Sequence, residues 1–446
     1  MSAIINNTFR KFNADNFIAS FGTANIYLMI GKNSPWSGNS AGEYDDGSYS
    51  DTNVPIPIDT SVSPFIHHDS AIASKLVSIN DVSHVLKRVD WVSGETYDEY
   101  DHLQDDIIDT NFFVFTEAYR VYKCISNNGG TPSTVEPTGV STDIIDTQPD
   151  GYRWKFMYEV QQADVLKFIT TDWIPVHAPG AVGTDQADVE TTAVDGALEH
   201  IDVLNGGANY KWNNGTAAGG TATTITLDTN ANTTTVDYYN DMAVFILTGP
   251  GEGEIKTITG YNQTTKEATV NSAWVNIPTA VSTYEVSPAV TLASSDGNGA
   301  VARVSGVDTG AITRIDMVSE GTSYRSVVTT ISSGGGTAAS IIGRIGPQGG
   351  HGSNAVVELG GAFVMLNIRL IGNDGNDFPV GNHFRKVHLL VNPTAGDTTP
   401  PTLATGTTYD SNEIDEDSGS IIYTEFRAPI HRQSDSTEDI KIVAEF

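Results

Sequence analysis

The sequence predicts a mainly β protein. It has a β-sandwich core formed by both ends of the chain, inserted small β domains and a few short helices. Three observations predict this. Short runs of β-branched and aromatic residues recur, separated by Gly, Asn, Asp and Pro. Apolar residues at helical spacing are scarce. Composition turns Gly-, Thr-, Ala- and Asn-rich near residue 180, and large aliphatic and aromatic runs return only towards the C-terminus.

Taken in order, Ala24–Ile30, Phe112–Phe115, Tyr119–Ile125, Trp154–Val160 and Val387–Val391 read as strands. Ser70–Val77 and Asp81–Val89 carry apolar residues at roughly helical spacing and read as helices, with one further helical turn at Asp164–Ile169. Residues 1–180 and 346–446 are assigned to the discontinuous core, and residues 181–345 to inserted β modules, where Met242–Leu247 keeps an apolar strand pattern. A two-copy repeat lies in the insert. Gly196–Tyr210 (GALEHIDVLNGGANY) and Gly310–Tyr324 (GAITRIDMVSEGTSY) share Gly-Ala, then Ile-Asp, then Gly and a closing Tyr at equal spacing. Each reads as a strand running into a glycine turn with φ > 0, the Tyr folding back as a corner. Between them, Glu254–Thr259 and Glu267–Asn271 flank a polar turn and read as a hairpin.

The chain has 446 residues, enough for about two to four domains of roughly 100–200 residues and for a large core without covalent staples. Lys and Arg number 24 against 55 Asp and Glu, a net charge of −31. That balance argues against nucleic acid, whose phosphates need basic surface, and against an anionic membrane surface. It favours basic partners. A lone cysteine, Cys124, excludes an internal disulfide framework and a Cys-based zinc cluster. The first residues show no apolar run behind a basic start, so no secretory leader is expected. No apolar run reaches about 18 residues, so no membrane span is expected.

Motifs for chemistry are weak. Gly38–Gly42 matches G-x-S-x-G but lacks the strand-to-helix turn that would expose the serine. His67-His68 is an adjacent pair, poorly placed to chelate one metal, and no H-E-x-x-H occurs. The acidic runs Asp98–Asp109, Asp45-Asp46 and Asp374–Asp377 lack the order of a calcium loop and read as solvated loops. Gly334–Gly336 and Gly346–Gly352 are not followed by G-K-[ST]. No spacing singles out a carboxylate pair for glycoside hydrolysis. No enzyme, catalytic residue, metal ligand or cofactor is expected. A carbohydrate- or receptor-binding role for the insert is the alternative, with Tyr210, Trp212, Tyr261, Trp274 and Tyr324 as sugar-stacking candidates, although packing of small cores is the favoured reading of these rings.

Several runs resemble a known family. Phe9-Arg10 and Asn16-Phe17 precede Ile26–Gly31 and then Ser34-Pro35-Trp36. Further on come Arg88-Val89-Asp90-Trp91, Val121–Cys124, Glu136-Pro137, Asp150-Gly151-Tyr152 and Trp154. The chain closes with Ser418-Gly419, Ile422-Tyr423, Arg427, Pro429-Ile430, Glu438–Ile442 and Phe446. In this order they resemble the β-rich baseplate wedge subunit, gene product eight, of contractile-tailed bacteriophages, over about residues 5–177 and 362–446. The insert departs from it. The resemblance implies a structural virion protein of the tail baseplate, assembled in the host cytoplasm, homodimeric, and packed against other wedge proteins without catalysis. Trp36, Trp91 and Trp154 are read as core pegs. Arg10, Arg88 and Arg427 are read as loop anchors through forked hydrogen bonds.

Overall fold

The computed structural model describes residues 7–31, 71–101, 104, 107–146, 148–180, 184–370, 383–393, 408–410, 418–431 and 438–446. The fold is mainly β, and its sheets are antiparallel. Contacts divide the chain into two units. The first comprises Met1–Arg88, Val160–Ala178 and Leu359–Phe446; the second comprises Val89–Glu159 and Pro179–Glu358. Residues Val89–Glu159, which composition assigns to the chain ends, thus pack with the Gly- and Thr-rich middle.

In the first unit a five-stranded sheet runs in the order Thr408–Asp410, Ala71–Leu76, Ile26–Gly31, His383–Val391, Ser420–His431. A four-stranded sheet runs Glu438–Glu445, Phe363–Leu370, Val82–Lys87, Trp173–Val176. Ile26, Leu28, Ile30, Val387 and Leu389 from the first share one apolar cluster with Val82, Val364, Leu366, Ile368, Ile440 and Ile442 from the second. Burying such aliphatic side chains contributes about 1.5–3 kcal/mol each. The helix Asn7–Ser20 adds Ala14 and Phe17 to that cluster, just ahead of Phe21. Its Asn and Asp content disfavours helix, so the sequence pattern misses it; packing of the Ala14–Phe17–Phe21 stripe overrides propensity.

Ser70–Val77 and Asp81–Val89 are corrected: where described, both are strands, Ala71–Leu76 and Val82–Lys87. Val82 to Leu86 are all buried, since this strand lies inside its sheet and is covered on both faces. A strand buried on both faces loses its alternation, and its apolar positions then mimic a helical period. Ser78 caps the start of the intervening turn by accepting from Asn80 N at 3.3 Å. The turn expected at Asp164–Ile169 is the helix Gln162–Phe168.

The second unit holds a three-stranded sheet, Phe113–Phe115, Arg120–Ser126 and Arg153–Glu159, packed around Trp154, Tyr122, Tyr152 and Phe156. A seven-stranded sheet covers strands from Asn213–Thr216 to Thr283–Ser287 and includes the expected hairpin, Ile255–Asn262 with Glu267–Val270. The repeats form two long ribbons. Leu198–Ala208 pairs with Thr337–Ile345, and Ala311–Thr322 pairs with Asn298–Asp308. The registers correspond: Ala208 faces Thr337 as Thr322 faces Asn298.

The ribbons interlock reciprocally. Tyr324 N donates to Gly196 O at 3.0 Å, and Tyr210 N donates to Gly310 O at 2.9 Å, so each copy's opening glycine receives the other's closing tyrosine. Gly207 and Gly321 both have φ of +64°, a conformation that costs little only for glycine. Both Tyr rings are buried. A Cβ on Gly336 would lie 2.4 Å from Tyr210 Cγ, and one on Gly297 2.2 Å from Tyr324 Cγ. Gly336→Ala and Gly297→Ala are each expected to lower the unfolding free energy by about 1–3 kcal/mol. The two losses should be similar, because the sites are equivalent. Urea melts followed by tryptophan fluorescence check this, and a variant melting with the parent would remove the tyrosine lock.

Candidate functional site

The repeats place chemistry at matched positions. Residues i and i+2 of a strand face the same side, so His200 meets Asp202 and Arg314 meets Asp316. His200 Nε2 bonds Asp202 Oδ1, and Arg314 Nε donates to Asp316 Oδ1 at 2.7 Å. Arg153, on the strand Arg153–Glu159, lies between them. Its Nη1 donates to His200 Nδ1 at 2.7 Å, and its Nη2 to Ile315 O at 3.1 Å and Asp316 Oδ1 at 2.8 Å. A guanidinium only donates. His200 Nδ1 is therefore an acceptor, and the Nε2 proton points at Asp202.

The network runs outward from this centre. Arg344 donates to Asp202 at 2.6 Å and to Asp101 at 2.7 Å. Arg314 reaches Asp146 at 3.2 Å. Arg303 reaches Asp316 at 3.3 Å and pairs with Glu285 of the seven-stranded sheet, its guanidinium 4.6 Å from the Phe245 ring centre. Burial alone would raise the pKa values of Asp202 and Asp316. Hydrogen bonds from His200 and Arg344, and from Arg314, outweigh it and hold both below the usual carboxylate range. Burial also lowers the pKa of Arg153.

A cavity of about 520 Å³ opens beside Arg153, between the Ser126–Gly129 turn and the two repeats. Its charged lining is already engaged: Glu99 accepts from Ser126 Oγ at 3.1 Å and from Asn127 N at 2.9 Å, and Arg153, Asp202 and Arg314 are paired as above. What it offers a ligand is neutral hydrogen-bonding surface. Asp150 organises the adjoining loop, accepting from Thr134 N, Val135 N and Tyr152 N. Burial opposes its ionisation, but these donors win and its pKa is lowered.

A second polar cluster lies under the three-stranded sheet. Lys123 and Glu358 pair with side chains 0% and 1% exposed. Glu199 is also buried, 4.0 Å from Lys155 Nζ, which donates to Thr142 O. Burial pushes the Glu199 acid up to about 7, against the attraction of Lys155.

The sugar-stacking candidates follow the core-packing reading. Tyr261 and Trp274 are buried in one core and Tyr210 in another, on which Trp212 packs half-buried, and Tyr324 is buried as well. None of the four buried rings presents a free face. Within the Asp98–Asp109 run, Glu99 and Asp101 are structural acceptors rather than solvated acids. Gly352 N donates to Glu358. Trp154 is fully buried, as a core peg should be, and Trp91 Nε1 donates to Ser133 Oγ at 3.1 Å. Arg88 Nη1 donates to Thr170 O at 3.0 Å. Arg10 grips the last residues, pairing with Glu445 and donating to Phe446 O. Gly38–Gly42, Trp36, Asp45-Asp46, His67-His68 and Asp374–Asp377 lie outside the described residues, as does the Arg427 side chain. Sequence reading missed the Arg153 network; the shared Ile-Asp of the repeats was its one visible signal.

Two outcomes follow from these clusters. Asp316→Asn leaves three guanidiniums sharing a neutral amide and is expected to destabilise the second unit by about 3–5 kcal/mol in chemical denaturation. Glu199 has a folded pKa above its unfolded value, so its contribution is complete below about pH 4.5 and lost as pH rises to about 7. The loss is about 3 kcal/mol. Thermal melts across that window should show the parent losing more stability than Glu199→Gln, which stays neutral throughout.

No curated protein matches the chain. Residues 365–446 match the family model Phage-Gp8, described as Bacteriophage T4, Gp8, a structural family of the phage baseplate. The match spans Phe363–Leu370 from Met365 onward and the strands His383–Val391, Ser420–His431 and Glu438–Glu445. Over that C-terminal part, the resemblance drawn from the closing runs of the sequence holds: residues 365–446 are similar to the phage baseplate wedge family, gene product eight.

Proposed function

We propose that the chain is a wedge subunit of a contractile phage tail baseplate, which joins neighbouring wedge proteins and transmits their rearrangement on contraction. The match of residues 365–446 carries this reading. The engaged state of the polar site supports it, since its charged groups bond one another and leave none aimed at a reacting atom. We take the working form to be a homodimer within the virion baseplate, with other baseplate proteins as partners. Antibody to this chain should label the tail base of purified virions in a ring. Label confined to fibres, or no label, would overturn the reading. Light scattering of the purified chain should give twice its 47.6 kDa mass; a single 47.6 kDa species at micromolar concentration would remove the dimer.

A second reading, glycan contact through the insert, has one observation in its favour: the neutral hydrogen-bonding cavity between the repeats. A glycan array probed with the full chain tests it, and absence of any hit would remove it.

A further inference from the structure

Lys123 and Glu358 are 235 residues apart in sequence, and Lys123 Nζ donates directly to Glu358 Oε2. The strand Arg120–Ser126 supplies the lysine and the short helix Ala355–Glu358 the acid. The carboxyl group is held by two more donors. Gly352 N lies 3.0 Å from both oxygens, and Asn354 N 3.0 Å from Oε1. The Tyr100 ring closes the pocket, its centre 4.1 Å from Nζ. A third acid, Glu199, is 7% exposed, and its Oε2 is buried with no hydrogen-bond partner. The charges of both Lys123 and Glu358 act on it.

We propose that Lys123 and Glu358 become joined by an amide bond that the protein forms itself. Glu199 serves as proton carrier, and the Gly352 and Asn354 N–H groups serve as oxyanion donors. The chemistry balances without a co-reactant. Moving one proton along the existing hydrogen bond turns the ion pair into a neutral amine and a carboxylic acid. The Nζ lone pair then forms a bond to Glu358 Cδ, and charge develops on an oxygen facing the two backbone donors. Nζ loses a proton to Glu199, Glu199 returns one to the departing hydroxyl, and the C–O bond breaks. One water leaves.

The surroundings favour each stage. In water the ammonium and carboxylate are the stable forms, but a dry pocket penalises both charges. Burial lowers the pKa of Lys123, which favours its neutral amine, and pushes the Glu199 acid up to about 7, so that Glu199 can both take and give a proton near neutral pH. The reacting groups are already in contact, which removes the entropy of bringing them together. This inference does not rest on the baseplate reading.

Mass spectrometry of the denatured full-length protein is the test. Expected are an intact mass lighter by one water and, after trypsin, one branched peptide containing Lys123 and Glu358. Glu199→Gln should abolish or strongly slow branching, and Lys123→Arg should abolish it. If Lys123→Arg does not fold, the parent digest still decides. Cleavage after Lys123, with Glu358 in an unbranched peptide, would overturn the bond. Branching undiminished in Glu199→Gln would overturn the role given to Glu199.

Discussion

Arg153 joins the charged positions of both copies of the repeat. Each ribbon carries an acid, Asp202 or Asp316, facing inward at the same position. One copy precedes its acid with a histidine and the other with an arginine. A single guanidinium from the three-stranded sheet reads this difference, donating to the histidine nitrogen of one and to the carboxylate of the other. The geometry works in one orientation only, because a donor-only group needs an acceptor on each side. Arg153 thus fixes how the duplicated ribbons seat on the sheet, and Arg344 to Asp101 and Arg314 to Asp146 extend the same contact sideways.

Composition explains why charge is used there. The ribbons are rich in Gly, Thr and Ser, and their apolar cluster is built mainly from aliphatic side chains such as Leu198, Ile201, Ile312 and Ile315. Apolar contacts stabilise it, but they are non-directional. A buried ionic network adds little net stability over an apolar replacement. It does make wrong registers costly, because a slip of one residue turns Asp202 and Asp316 to the opposite face. The tyrosine corners add a steric restraint to the electrostatic one.

Local signals made much of this legible in the sequence. Strand runs such as ANIYLMI and the hairpin around Gly260–Lys266 follow from residue type alone. The repeat exposed both the glycine turns and the tyrosine corners, because those depend on φ and on close approach within a few residues. Non-local information was not legible. The strand at 82–87 shows a helical period because both of its faces are covered, and covering is a property of the sheet. Core packing is the favoured reading for the tyrosines of the insert, but a Gly-rich stretch gives no hint that Gly297 and Gly336 make room for their rings. Arg153 has no sequence pattern around it, since its partners lie 47 and 163 residues away.

The path of the backbone gives the second polar cluster its meaning. The chain enters the second unit at Val89, leaves after Glu159, re-enters at Pro179 and leaves after Glu358. Val89 O is held by Phe115 N at 2.7 Å on the strand beside Arg120–Ser126. Glu159 pairs with Arg120 at 2.8 Å, and Glu358 pairs with Lys123. Gly180, near the other entry, is tied to Glu190 at 2.9 Å. Both exits therefore end on one strand. Their strengths differ. The Arg120–Glu159 pair is about a third exposed on each side and is worth about 1 kcal/mol or less. The Lys123–Glu358 contact is fully buried, and the amide proposed there would make it a covalent stop. A pull along the backbone at Glu358 would meet that resistance before it reached the ribbons. The first exit would yield sooner, but its strand lies in register against Arg120–Ser126 and would have to break the ladder as well. The three-stranded sheet, with its buried aromatic core, thus holds both exits.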